Sequence, residues 1–77
     1  MKYTKASFHE STYGDHIQLP KNPPLSLHAG DTIEVSGTEY NDGEYEVMYV
    51  QGRKIVVDPD AGLVGEVAKG VTITNRK

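Results

Sequence analysis

The sequence contains no cysteine, and this absence limits how so small a chain can be stabilised. Its 77 residues can form no disulfide and offer no thiolate to a metal ion. A domain of this size buries only about 60% of the surface that its unfolded chain exposes, so its stability is marginal. A thin core, or association with another chain, must therefore provide the stability that disulfides give other small proteins.

Long apolar runs are also missing from the sequence. No stretch approaches the roughly 20 apolar residues of a membrane-spanning helix. The opening segment, Met1 to Lys5, is not followed by an apolar run, so we expect no secretory signal peptide. Eight glycines, four prolines and a hydrophobic share of 36% favour several short strands joined by many turns. We expect one domain over residues 1–77.

Alternation of apolar and polar residues with period two recurs along the chain, whereas helical periodicity is almost absent. In residues 44–50 the alternation fails, because Val47 and Val50 are three positions apart. A β-bulge near Met48 and Tyr49 would return Val50 to the core. The alternation predicts six strands, over residues 4–8, 16–19, 31–36, 44–50, 53–57 and 71–74.

These strands predict an all-β fold, either a small antiparallel barrel or a sandwich of about six short strands, SH3-like or related. Leu25 is expected to enter the core beside Leu27, and the glycine-interrupted run 61–70 offers Leu63, Val64 and Val67 to it. A single helical turn fits that run, and residues 75–77 are expected to fray. The predicted core consists of Phe8, Ile17, Leu19, Leu27, Ile33, Val35, Tyr45, Val47, Val50, Ile55, Val57, Val71 and Ile73.

No lysine or arginine occurs between Lys21 and Arg53, and this interval is acidic. Its carboxylates either keep a solvated hairpin soluble or form a contact patch for a basic partner. If the loop spans residues 37–43, Glu34 faces Glu46, and Lys54, a slipped register or a basic partner could relieve their repulsion. The candidate protein-interaction residues are Glu34, Glu39, Tyr40, Asp42, Glu44 and Glu46.

Other chemistry finds little support in the sequence. His9, Glu10, Asp15 and His16 bracket one loop and could ligate a metal, but their spacing favours a polar turn. The Asp58-Pro59-Asp60 turn lacks the later ligands of a calcium loop. No nucleophile motif or phosphate-binding glycine loop occurs, so we expect no enzyme, no cofactor and no metal.

Nucleic-acid binding is the remaining chemical alternative. Small barrels bind single strands on aromatic platforms, but an acidic centre would repel the phosphate backbone. We therefore do not expect nucleic acid as the partner, and we expect no membrane association. The aromatic residues that could form such a platform are Tyr3, Phe8, Tyr13, Tyr40, Tyr45 and Tyr49.

Most of the chain resembles a known β-module. The run from Leu27 to Gly37, with its Gly30-Asp31 pair, continues into Asn41-Asp42-Gly43 and closes with Val71-Thr72-Ile73. This pattern is similar to a small module of bacteriophage and prophage proteins that are tail-associated or otherwise part of the virion.

The resemblance implies a phage structural or accessory protein that acts by protein–protein contact. Its partners would be other phage structural proteins or further copies of itself, and it would be located in the virion or the host cytoplasm. The alternative is a small β-barrel regulator that binds nucleic acid or the host transcription machinery. The resemblance supplies no catalytic residue.

Overall fold

The computed structural model describes residues 2–10 and 15–76, which form six antiparallel strands and one short 3-10 helix at Pro59–Ala61. The prediction of an all-β fold with about six strands is confirmed. Within these residues no helix is long and apolar enough to cross a membrane. The strands are β1 Lys2–His9, β2 Asp15–Gln18, β3 Thr32–Ser36, β4 Gly43–Gln51, β5 Lys54–Val57 and β6 Glu66–Asn75.

The sheet closes on itself in the order β1-β2-β5-β4-β3-β6. Closure depends on β6, which pairs with β1 on one side and with β3 on the other. Of the two predicted architectures, the structure is therefore the barrel. Because a closed sheet has no free edge, every strand finds hydrogen-bonding partners on both sides.

The barrel interior contains the predicted core. Every residue of that prediction is buried, except that Tyr45 and Val50 are half-buried and pack against the core. Strand β6 begins earlier than predicted. Leu63 lies in the core as expected, and Tyr3, Ala6 and Ala68 are further members of it.

Three expected core residues instead lie at the surface. Leu25 is 96% exposed, because a turn in which the Leu27 N–H donates to the Pro24 carbonyl turns its side chain outward. Val67 alternates with the buried Ala68 along β6, so it faces solvent. Val64 precedes that strand and is about half exposed.

The predicted β-bulge is confirmed. Val47 pairs with Val57 and Tyr49 pairs with Val56, so Met48 is an extra residue in β4. The extra residue shifts the alternation and brings Val50 against the core.

The end of β3 packs closely against β6 where two glycines meet. Gly37 has φ +88°, and a Cβ atom on it would lie 2.6 Å from the carbonyl oxygen of Gly70. A side chain at Gly37 would therefore clash with backbone, so this position requires glycine. The contact fixes where the loop after β3 leaves the barrel.

The expected fraying of residues 75–77 is wrong for the two that the structure describes. Asn75 belongs to β6, and its Nδ2 donates to Asp31 Oδ2 at 3.1 Å. The Arg76 N–H donates to the Thr32 carbonyl at 2.7 Å. Lys77 lies outside the described residues.

Candidate protein interface

The loop of residues 37–42, which joins β3 to β4, is held by a buried asparagine. Asn41 is only 1% exposed. Its Nδ2 donates to the Val64 carbonyl at 2.9 Å, and its Oδ1 accepts from the Val64 N–H at 2.8 Å. This two-way bond joins the loop to the segment before β6, much as a strand pair would.

The Glu66 carboxylate binds the same loop from the first residue of β6. It accepts hydrogen bonds from the N–H groups of Glu39 at 2.8 Å and Tyr40 at 3.1 Å, and from Asn41 Nδ2 at 2.7 Å. Desolvation acts to raise the pKa of Glu66, but these three donors outweigh it and the pKa lies below its usual value. Glu66 therefore stays ionised and anchors the tip of the loop.

Further hydrogen bonds close the loop from within. Asp42 Oδ1 accepts from the Thr38 hydroxyl at 2.7 Å and from the Thr38 N–H at 2.9 Å, and these bonds lower the pKa of Asp42. The Tyr45 hydroxyl donates to the Asn41 carbonyl at 2.6 Å. Desolvation, together with the nearby Asp42 and Glu66 carboxylates, raises the pKa of Tyr45, so it remains a donor.

The fixed loop presents one aromatic side chain to solvent. Tyr40 is 63% exposed, although its own N–H is bonded to Glu66. Glu39 and Asp42 flank it and are also exposed. An exposed tyrosine on a preorganised backbone can contact a partner with little loss of conformational entropy.

The facing carboxylates on β3 and β4 differ from the predicted pair. Glu34 lies opposite Glu44, and Glu46 lies opposite Thr32, so the predicted facing of Glu34 and Glu46 is wrong. The reason is that the bonds between Asp42 and Thr38 tighten the loop, and Gly43 already pairs with Val35.

The cation beside these carboxylates also differs from the expected Lys54. Arg76 places its Nη1 3.6 Å from Glu34 Oε1 and its Nε 3.6 Å from Glu44 Oε2. Lys54 lies on the other side of β4, opposite Gln51. The chain therefore supplies its own cation to the Glu34–Glu44 pair.

The candidate interaction residues form one surface of the barrel. Glu34, Glu44 and Glu46 lie on the outer face of the β3–β4 pair, while Glu39, Tyr40 and Asp42 lie in the loop that joins these strands. Three of the residues that position this surface lie far along the chain, in β6 and its flanking segments, so no local sequence pattern indicates them, whereas the fourth lies in the loop itself. These positioning residues are Asn41, Val64, Glu66 and Arg76.

The four candidate metal ligands do not converge. Asp15 is buried, and its Oδ2 accepts from the Leu63 N–H at 3.0 Å. His9 and His16 stack on each other with ring centroids 4.6 Å apart. Residues 2–10 and 15–76 contain no cluster of three or more histidine or carboxylate side chains suited to a metal ion. The middle of the predicted loop, residues 11–14, lies outside the described residues.

A closed barrel of six short antiparallel strands, with a 3-10 helix between the fifth and sixth, defines a small SH3-like domain, a fold that is typically non-catalytic. The family described as the variant SH3 domain matches residues 12–66. Because this match covers more than half of the sequence, the chain belongs to the variant SH3 domain family. No curated protein and no solved structure matches the chain.

Proposed function

We propose that this SH3 domain is a bacteriophage or prophage structural or accessory protein that acts by protein–protein contact and not by catalysis. The contact surface is the loop 37–42 with the outer face of β3 and β4. The observation that carries the proposal is the exposed Tyr40 on a loop held by Asn41 and Glu66. The phage role rests on the motif resemblance, since the family match names an SH3 domain alone.

The surface suits a basic partner better than a proline-rich peptide. SH3 domains take proline-rich peptides in grooves lined by aromatic side chains. Here Tyr3 and Phe8 are buried in the core, and the Tyr45 hydroxyl is bonded within the loop. Tyr40 is instead flanked by carboxylates, an arrangement that favours an arginine or lysine stacked on its ring.

Arg76 determines where on this surface the uncompensated negative charge lies. Its side chain offsets part of the charge of Glu34 and Glu44 on the strands. The carboxylates of Glu39 and Glu46 make no ion pair with any described residue. The partner would therefore place its cations nearest the loop and the middle of β4.

A different observation favours a second candidate function. In this alternative the domain is a regulator that binds nucleic acid or the host transcription machinery. Four of the cations that lie outside the acidic interval of the sequence gather on the opposite side of the closed barrel. Lys5 and Lys69 are directly paired there, and Arg53 and Lys54 lie nearby at the β4–β5 turn.

Size-exclusion chromatography with light scattering, on the domain alone and mixed with purified phage particles, tests the contact function. We expect the parent domain to form oligomers or to elute with particles, and Tyr40→Ala to weaken that association at least about tenfold. Leu25→Ala is the control, because Leu25 is 96% exposed but lies between β2 and β3, outside the proposed contact surface. A parent domain that stays monomeric and never elutes with particles would contradict the proposal.

A further inference from the structure

The closed barrel collects onto one face cations that are scattered along the sequence. Lys5 lies on β1, Lys54 on β5 and Lys69 on β6, while Arg53 lies in the turn between β4 and β5. In the cyclic strand order, the pair β1–β2 lies opposite the pair β3–β4. The centre of the basic face is therefore on the far side of the barrel from the acidic surface, while Lys54 and Lys69 lie on the strands between the two.

Two of these cations border a shallow depression whose lining mixes polar and apolar side chains. Hydroxyl and amide side chains there can donate hydrogen bonds to an anion. Leu19 fixes one edge, because its N–H donates to the Arg53 carbonyl at 2.8 Å. The depression is lined by Lys5, Ser7, Gln18, Leu19, Pro20 and Arg53.

Among the described residues, the cations of this face make no ion pair. Lys5 and Lys69 are directly opposite in the β1–β6 ladder, a like-charge pairing that destabilises a sheet. The ion pairs within 4.0 Å among residues 2–10 and 15–76 all involve Arg76, so none reaches this face. A bound polyanion would relieve the repulsion between the two lysines.

A row of rings crosses the same face next to the depression. His9 pairs with His16, His16 pairs with Val56, and Val56 pairs with Tyr49, so the row runs across β1, β2, β5 and β4. The two imidazoles stack with an interplanar angle of 16°, and the Tyr49 side chain is half exposed. Val56, which lies between His16 and Tyr49 in this row, is buried but is not part of the core cluster.

We propose that the outer face of β1, β2 and β5 binds single-stranded nucleic acid, an inference that rests on the second candidate function above and specifies its ligand. Lys5 and Arg53 bind one phosphate in the depression. Lys54 and Lys69 contact neighbouring phosphates of the same strand. The bases stack on the row of rings formed by His9, His16 and Tyr49. An acidic protein, including a second copy of this chain, would use the cations but would leave the ring row without a role. Single strands use both features, because they present phosphates and stacking bases together.

Fluorescence anisotropy of a labelled oligothymidine of about 12 nucleotides, titrated across a salt series, tests the proposal. Four phosphate contacts predict that log K falls with log salt at a slope of about −3. The double change Lys5→Gln with Arg53→Gln is expected to reduce that slope by about 1.4. Arg76→Gln is the control, because it also removes a cation but lies beside Glu34 and Glu44, away from this face, so its slope should match the parent's.

Tyr49→Ala separates stacking from charge in the same assay. We expect affinity to fall about tenfold while the salt slope stays unchanged, since stacking is insensitive to counterions. Amide NMR shifts on adding the oligonucleotide should map to β1, β2 and β5.

Three results would overturn the proposal. One is the absence of an anisotropy change at low salt, and another is an equal loss of binding in the Arg76→Gln control. The third is a parent domain that does not bind the oligonucleotide but self-associates, with the double change Lys5→Gln and Arg53→Gln abolishing that self-association. This result would assign the face to a second copy of the chain. Tyr40→Ala should leave this assay unaffected, so failure here and failure of the contact function are distinguishable.

Discussion

At the scale of single residues, the role of Asn41 depends on its side chain and not on the turn that the sequence indicates. The Asn41-Asp42-Gly43 run indicates a turn whose residues tolerate positive φ. Among the described residues only glycines have positive φ, so a left-handed backbone conformation does not explain the asparagine at position 41. Its side chain instead makes paired bonds to Val64 and a further bond to Glu66.

Replacing Asn41 with alanine should destabilise the domain by about 3 kcal/mol. The change leaves the Val64 N–H and carbonyl without their partners in a partly buried site, and each lost partner costs about 1–3 kcal/mol. Urea unfolding followed by circular dichroism measures the difference. Asn22→Ala is the matched control at an exposed position and should stay within about 0.5 kcal/mol of the parent. Equal stability of the two variants would mean that Asn41 does not hold the loop.

Residue patterns predicted the core well because burial follows alternation, but they could not identify this hydrogen-bonded cluster. Ile33 and Val35 alternate with polar neighbours, and both are buried as predicted. Asn41 and Glu66 are far apart in the sequence, and nothing local marks a polar pair that meets only after β6 closes the barrel. Val64 and Val67 were misassigned to the core for the same reason, since the start of β6 sets which side each faces.

At the scale of the elements, an interruption of the apolar–polar alternation in β4 correctly predicts an irregularity of the strand. Loss of alternation between Val47 and Val50 predicted a bulge, and Met48 is the extra residue. The register of β3 against β4 differs by two residues from the one that a loop over residues 37–43 predicts, because the bonds between Asp42 and Thr38 tighten the loop. A register depends on how its turn is hydrogen-bonded as well as on which residues alternate.

The contact of Arg76 with the β3–β4 pair makes a separate prediction about stability. Arg76→Gln should lower the free energy of unfolding by at most about 1 kcal/mol at low salt, because it leaves Glu34 and Glu44 opposed without a cation. Near 1 M salt the difference should disappear, since exposed charges are then screened within about 3 Å.

Glu44→Gln is the control for this pair. It removes the repulsion between Glu34 and Glu44 and keeps the contact of Arg76 with Glu34, so stability should be unchanged or slightly higher. Thermal unfolding of both variants at low and high salt measures the effect. A loss in Arg76→Gln that persists at high salt would show that Arg76 acts through packing and not through its charge.

At the scale of the whole molecule, closure of the barrel distributes the charges. The sequence places basic residues at its two ends and at the Arg53-Lys54 turn, with an acidic centre between them. Strand β6 returns the end of the chain to β1 and β3, which brings Lys69 beside Lys5 and Arg76 beside Glu34. Neither neighbourhood follows from the order of residues along the chain, because both depend on which strands become neighbours.

Both proposed surfaces require that β6 join β1 and β3 at once, and solution NMR tests this directly. Cross-strand nuclear Overhauser effects should connect Ala68 to Ala6 on one side of β6 and Ile73 to Val35 on the other. A closed barrel predicts both sets in the same sample at equal protection from hydrogen exchange. Contacts from β6 to only one of these strands would mean an open sheet, and would contradict the separation of acidic and basic faces on which the account depends.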